Sequence, residues 1–170
     1  MMYNNCMLGK LLEVQVGELL RQKGLRLGVA ESCTGGLISH LITNVPGSST
    51  YYVGSITAYA YEAKVRLLGV SWETLEKFGA VSGETVIEMA RGVRLALAAD
   101  IGIAVSGIAG PGGGMVAKPV GTTWIGLSSP EDEFARHYVW QGDRLSNKEQ
   151  SAEAALQLLI DYLSGEEVIP

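Results

Sequence analysis

Cysteine, histidine and positive charge are all scarce in this chain of 170 residues. There are two cysteines, Cys6 and Cys33. That excludes a disulfide scaffold and any zinc site built on Cys pairs, and it suits a reducing compartment. The two histidines, His40 and His137, fall inside regular-looking segments away from the Gly-rich turns. A Ser-His-Asp triad is therefore not expected, and neither an H-E-x-x-H helix nor a Walker A loop is present. Thirteen Lys and Arg stand against eighteen Asp and Glu, a net charge of −5. A nucleic-acid binder that relies on bulk positive charge is thereby disfavoured. No apolar run approaches the ~20 residues of a membrane span. The opening Met1-Met2-Tyr3-Asn4-Asn5 lacks the basic n-region of a signal peptide. The expectation is a cytoplasmic domain with no membrane or nucleic-acid partner.

What is present is apolar mass and glycine. Apolar residues make up 47% and charged residues 18%, enough for one well-filled core and too little charge for disorder. Leu8, Leu11, Leu12, Val16, Leu19 and Leu20 share one helical face that Gly24 ends. Residues 25–31 read as a strand, 34–44 as a helix, and 54–60 as a second strand rich in β-formers. Short helices follow at 62–68, closed by Gly69, and after Ser71, closed by Gly79. Ser82 caps a longer one. Residues 101–106 form a buried strand that opens into a Gly-rich loop, 107–118. Strands at about 120–128 and 134–140 are joined tightly enough to be antiparallel. The last helix carries a capping box at Ser146 and Glu149, an apolar face through Ala152, Leu156, Leu159 and Leu163, and a stop at Gly165. Helices around about five or six strands make a three-layer α/β/α single domain with a mixed sheet.

Three turns concentrate the reactive groups. Glu31-Ser32-Cys33-Thr34-Gly35-Gly36 lies where a strand gives way to a helix, the usual ligand crevice of open α/β sheets. Free amides there favour a phosphate or a developing oxyanion. Ser32 or Thr34 serves equally well as a helix cap, and Cys33 as a small core residue. Tyr59-Ala60-Tyr61-Glu62-Ala63-Lys64 is the second. If its strand neighbours the first, Lys64 reaches Ser32 and serves as its base, provided desolvation lowers its pKa; otherwise Lys64 is a solvated surface lysine. Ser106-Gly107-Ile108-Ala109-Gly110-Pro111-Gly112-Gly113-Gly114 is the third, either a ligand loop or an open connection. It is not a dinucleotide fingerprint, because the glycines lead into another strand instead of a helix. Arg144, in Gly142-Asp143-Arg144, is placed to hold an anionic group or to form a surface ion pair. Cys33 is a weaker nucleophile than Ser32, since no histidine is placed to make its thiolate.

Together these segments resemble the C-terminal domain of the CinA (competence/damage-inducible) family. The pieces that carry the likeness are Ala30 through Gly36, Pro46-Gly47-Ser48-Ser49, Tyr59 with Glu62-Ala63-Lys64, and Gly79-Ala80-Val81-Ser82. Ser106 through Pro111, Lys118-Pro119-Val120-Gly121-Thr122 and Gly142-Asp143-Arg144 continue it. The likeness covers about residues 8–164, leaving 1–7 as a flexible N-terminus and 165–170 as a tail. It implies hydrolysis of nicotinamide mononucleotide to nicotinate mononucleotide and ammonia, a pyridine-nucleotide salvage step, with no metal or organic cofactor. It also implies a homodimer and a stand-alone form without the N-terminal domain of longer relatives. On that reading Ser32, Lys64 and Tyr59 are catalytic. Cys33, Thr34, Gly35, Gly36, Ser106, Gly107, Ala109, Gly110 and Arg144 bind substrate. One departure stands out: where the family reads Tyr-x-Asn-Glu-x-Lys, Tyr61 takes the Asn place, and a ring there is expected to reshape the pocket or change a hydrogen bond. That substitution favours the rival reading, a catalytically silent nucleotide-binding regulatory module.

Overall fold

The computed structural model describes residues 11–165. Leu8, the expected flexible stretch 1–7 and all of the tail beyond Gly165 lie outside the described residues. Elements run α1 (Leu12–Lys23), β1 (Leu27–Glu31), α2 (Leu37–Thr43), β2 (Tyr52–Thr57), α3 (Tyr61–Leu68), α4 (Trp72–Phe78), α5 (Gly83–Ala96), β3 (Ile101–Gly107), β4 (Thr122–Ser128), β5 (Glu133–Val139) and α6 (Arg144–Ser164). The sheet has five strands in the order β2-β1-β3-β4-β5. β1 pairs in parallel with β2 and β3, and β4 runs antiparallel to both β3 and β5. The three parallel strands therefore end at one edge, which brings residues after Glu31, Thr57 and Gly107 together.

Strand alternation sorts the core into two layers. Leu27, Val29, Ile101, Ile103, Val105, Ile125 and Leu127 face α1, α2 and α6. Ala30 and Ala104 face α3, α4 and α5. The second face is made of small residues because α5 lies flush on it. A Cβ at Gly102 would run into the Ala90 carbonyl, and one at Gly126 would stand 2.5 Å from that of Val86. The alternation of small and large residues along these strands is thus the footprint of a close helix–sheet contact.

Element ends depart from the sequence reading for local reasons. α2 starts at Leu37, three residues later than expected, because Gly35 and Gly36 take φ of +65° and +103° and cannot be helical. β2 covers 52–57 instead of 54–60, since the chain leaves the sheet after Ala58 to enter α3. α6 is capped by Asp143, whose carboxylate accepts the Ser146 N–H at 2.9 Å, so the expected Ser146–Glu149 box is not the start. Ser71 and Ser82 do cap α4 and α5, accepting the N–H of Thr74 and Thr85. Among the described residues no helix is long and apolar enough to cross a membrane.

Candidate active site

Ser32 follows the last residue of β1 and is almost enclosed; its N–H donates to the Val105 carbonyl of β3 at 3.0 Å. Lys64 comes from the first turns of α3, the helix after β2, and is fully buried. Adjacency of β1 and β2 closes the gap, and Lys64 Nζ stands 3.0 Å from Ser32 Oγ. The other neighbours of Nζ are two backbone carbonyls, Ala58 O at 2.7 Å and Tyr59 O at 3.2 Å. A neutral amine has two N–H bonds and one lone pair, so two carbonyls and one hydroxyl are the partners that form can use. Burial pulls the Lys64 pKa from its ordinary 10.5 down to about 8, while the neighbouring Cys33 thiol pushes weakly the other way. The surface-lysine alternative falls.

Cys33 is buried in the α1–α2–α6 core, and burial raises its thiol to about 11. It is a protonated core residue with no thiolate to offer at neutral pH. Gly107 passes close by; a Cβ there would stand 2.6 Å from Thr123 Oγ1 and 3.1 Å from Cys33 Sγ.

The turn amides are partly occupied. Glu31, fully buried, accepts from the N–H of Gly36 (2.9 Å), Ile38 (3.2 Å) and Ser39 (3.0 Å) and from Ser39 Oγ (2.7 Å). Gly35 N–H donates to Ser32 O. The expectation that amides 33–36 jointly serve a ligand is corrected: Gly35 and Gly36 are engaged, while those of Cys33 and Thr34 lean only on the weakly accepting Cys33 sulfur. Glu31 had no role in the sequence reading. A carboxylate ending an apolar strand was the signal, because it must find donors and a helix N-terminus offers unpaired ones.

Tyr59 divides into two functions. Its carbonyl holds Lys64, whereas its exposed phenol accepts from Arg144 Nη2 at 3.2 Å. Arg144 Nη1 donates to Gly110 O at 2.7 Å, and Asn147, which sequence reading missed, donates to Ala109 O at 3.1 Å. The first turns of α6 thus pin the 107–110 loop. Arg144, Ala109, Pro111, Val120 and Leu145 line a cavity of about 580 Å³, of ligand size. Ser106 is buried and its hydroxyl donates to Ala80 O at 2.7 Å, so it braces the 79–82 loop from below. Tyr61 braces the same loop from outside: its hydroxyl accepts the Ala80 N–H at 3.3 Å and its ring leans on Trp72. With Tyr61 turned to that loop, the Ser32–Lys64 contact is in place. Thr34 is buried with its hydroxyl unpartnered among the described residues. Those residues hold no cluster of His, Cys, Asp or Glu able to take a metal.

Residues 10–163 match the CinA C-terminal domain. The chain belongs to that family. A CinA-like protein from Chloroherpeton thalassium is 48% identical over 158 residues, covering 91% of this chain and 38% of the relative. One from Amoebophilus asiaticus is 49% identical over 154 residues, 91% and 37% of the two chains. The chain thus spans less than two-fifths of the length of these curated relatives. Among solved structures, a CinA superfamily protein from Klebsiella pneumoniae superposes with a TM-score of 0.87 at 33% identity, covering 91% of this chain and 96% of that one. A competence or damage-inducible protein from Enterobacter asburiae gives 0.86 at 38% identity, covering 89% and 96%. These matches establish both the family and the α/β fold.

Proposed function

We propose that the domain is an amidohydrolase that converts nicotinamide mononucleotide to nicotinate mononucleotide and ammonia through an acyl-serine. The observation that carries this reading is the Lys64 amine, buried without a carboxylate partner and 3.0 Å from Ser32 Oγ. Neutral Lys64 takes the Ser32 proton as Oγ bonds to the carboxamide carbon. The carbonyl oxygen becomes an oxyanion facing the Cys33 and Thr34 amides. As the tetrahedral adduct collapses, the C–N bond breaks and Lys64 returns its proton to the departing ammonia. Water then attacks the acyl-serine, gives its proton to Lys64, and releases the carboxylate while Ser32 is reprotonated. Tyr59 acts through its carbonyl, which fixes the amine. Arg144 and the 107–110 loop hold the rest of the nucleotide.

The test is ammonia release from nicotinamide mononucleotide by the purified chain, with nicotinate mononucleotide as the co-product. Binding of the nucleotide without ammonia would overturn the reading in favour of a silent regulatory module. The reaction is proposed to need no metal, so activity lost to EDTA and restored by a divalent ion would also overturn it. The homodimer implied by the family likeness is read by sedimentation of the same preparation.

A further inference from the structure

We propose that Tyr61 is a positioning residue for the reacting pair: by tying the start of α3 to the 79–82 loop, it closes a circuit of contacts that fixes Lys64 Nζ against Ser32 Oγ. This goes beyond the amidase reading and rests on it only where a rate is measured. The Ser32 N–H donates to Val105 O at 3.0 Å. The next residue, Ser106, is buried, and its hydroxyl donates to Ala80 O at 2.7 Å. Ala80 in turn donates its own N–H to the Tyr61 hydroxyl at 3.3 Å. Three residues on, Lys64 Nζ meets Ser32 Oγ at 3.0 Å and completes the circuit. Its first and last members are the two reacting side chains.

α3 needs such a tie. It has eight residues, too few for a helix to hold by itself, and Ala60 at its N-cap offers no side chain to the first amides. The bonds from Lys64 Nζ to Ala58 O and Tyr59 O join the amine to its own segment, so they do not set where that segment stands against β1. Ala58 N–H, donating to Glu31 O at 2.9 Å, fixes the end nearest the strand. Tyr61 fixes the helix end. Its anchor is firm: Gly79 O accepts from Ser82 Oγ at 3.0 Å and Thr85 Oγ1 at 2.8 Å, and Lys118 holds Phe78 O at 2.6 Å. Tyr61 and Lys64 lie one turn apart on the side of α3 that also buries Leu68. A shift of the phenol is therefore carried to the amine. The ring itself leans on Trp72, which leaves the hydroxyl as the directional part of the contact.

Tyr61→Phe deletes the hydroxyl and keeps the ring on Trp72, so Tm should stay close to the parent's. Two measurements on the full chain test the tie. The first is the titration of Lys64 by NMR in protein carrying ¹³C-labelled lysine, its signal identified by its absence from Lys64→Met. In the parent the midpoint should lie near 8. In Tyr61→Phe it should move up towards 10.5, because an amine that leaves its enclosure regains water, and water favours the ammonium. Cys33, the titratable neighbour that acts on the amine, is untouched by the substitution. The second is ammonia release. Here kcat should fall roughly 10-fold or more with KM near the parent's, since misplacement by about 1 Å can cost ~10²-fold. An unmoved midpoint in Tyr61→Phe, or a moved one with kcat at the parent value, overturns the proposal. A midpoint that moves in a chain whose parent releases no ammonia keeps the tie and discards the amidase; ammonia release with an unmoved midpoint does the reverse.

Discussion

In the parallel half of the sheet, β2-β1-β3, charged side chains are buried and met by backbone groups; at the antiparallel edge, β5, they face water and meet each other. Lys64 has carbonyls and a hydroxyl around it, and Glu31 has amides and a hydroxyl. At β5, Glu133 pairs with Arg91 and Arg136 with Asp161. The pairing holds Glu133 below the usual carboxylate range and Arg91 above its own ordinary value. Pairs that keep contact with water add little stability. The buried pair of opposite charges behaves differently because the strand keeps them apart. Glu31 follows Leu27 and Val29 on the α2 side of β1, while Lys64 reaches Ser32 from α3 on the other. Had the carboxylate met the amine, it would have held the ammonium form and raised its pKa. Separation across one strand leaves burial as the dominant influence, and burial favours the neutral base.

The largest expected effect removes the nucleophile. Ser32→Ala should cut ammonia release by at least roughly 10³-fold with the fold intact, while Cys33→Ala retains most activity. A folded Cys33→Ala protein as dead as Ser32→Ala would exchange their roles. Next comes Lys64. Lys64→Met keeps the stem and deletes the amine, and should cost ~10²–10⁴-fold; Lys64→Arg keeps a cation that cannot deprotonate and should be nearly as poor. An active Lys64→Arg protein would make position 64 an electrostatic ligand. In the parent, kcat/KM should rise as pH climbs towards about 8, where the amine loses its proton. Stability carries the same signature. The unfolded chain holds the Lys64 proton up to about pH 10.5 and the folded one only to about 8. Parent stability relative to Lys64→Met should therefore increase between those values and stay level below them. Denaturant unfolding of both proteins at pH 7 and pH 10 measures it.

Sequence made the reacting atoms legible because each sits where chain direction changes. Ser32 and Gly107 stand at strand ends and Lys64 just inside a helix, and turn residues mark such places. Strand order was not legible; only the parallel pairing of β1 with β2 turns a 32-residue separation into a hydrogen bond. Asn147 was not legible for another reason: it acts on the 107–110 loop, distant in sequence, so no local spacing betrays it. Glu31 did carry a local sign, a carboxylate that ends an apolar strand just before a helix start. Tyr61 was legible as a departure, but its direction, towards Ala80 and Trp72, depended on where the 79–82 loop returns.

Glu31→Gln tests the other buried charge. The amide is isosteric but neutral, and its NH₂ cannot accept from the Ser39 hydroxyl or a backbone N–H. Loss of charge-assisted bonds at a buried helix start should lower stability by roughly 2–3 kcal/mol. For a domain of this size that is a fall in Tm of roughly 4–12 °C. Activity should fall less than in Lys64→Met, through loosening of the Ser32 turn. A Tm unchanged in Glu31→Gln would mean that the α2 amides are satisfied without the carboxylate.

The smallest effect belongs to β5. Arg91 donates from Nε and Nη2 to the two Glu133 oxygens, a two-pronged contact, and Ser128 Oγ adds a third bond to Glu133 at 2.9 Å. Two-pronged geometry is the best case for a surface pair, yet both side chains keep water contact, so their attraction is largely screened. A double-mutant cycle of Arg91→Ala and Glu133→Ala should give a coupling of about 0.2–1 kcal/mol that shrinks in high salt. Glu133 has its folded pKa lowered, so its share is present above the unfolded value near 4.5 and is lost as pH falls through the folded one. Neither substitution should change kcat, because β4 and β3 stand between this edge and Ser32. A coupling well above 1 kcal/mol, or a fall in kcat, would show that the antiparallel edge supports the chemistry, and the contrast between the two halves of the sheet would fail.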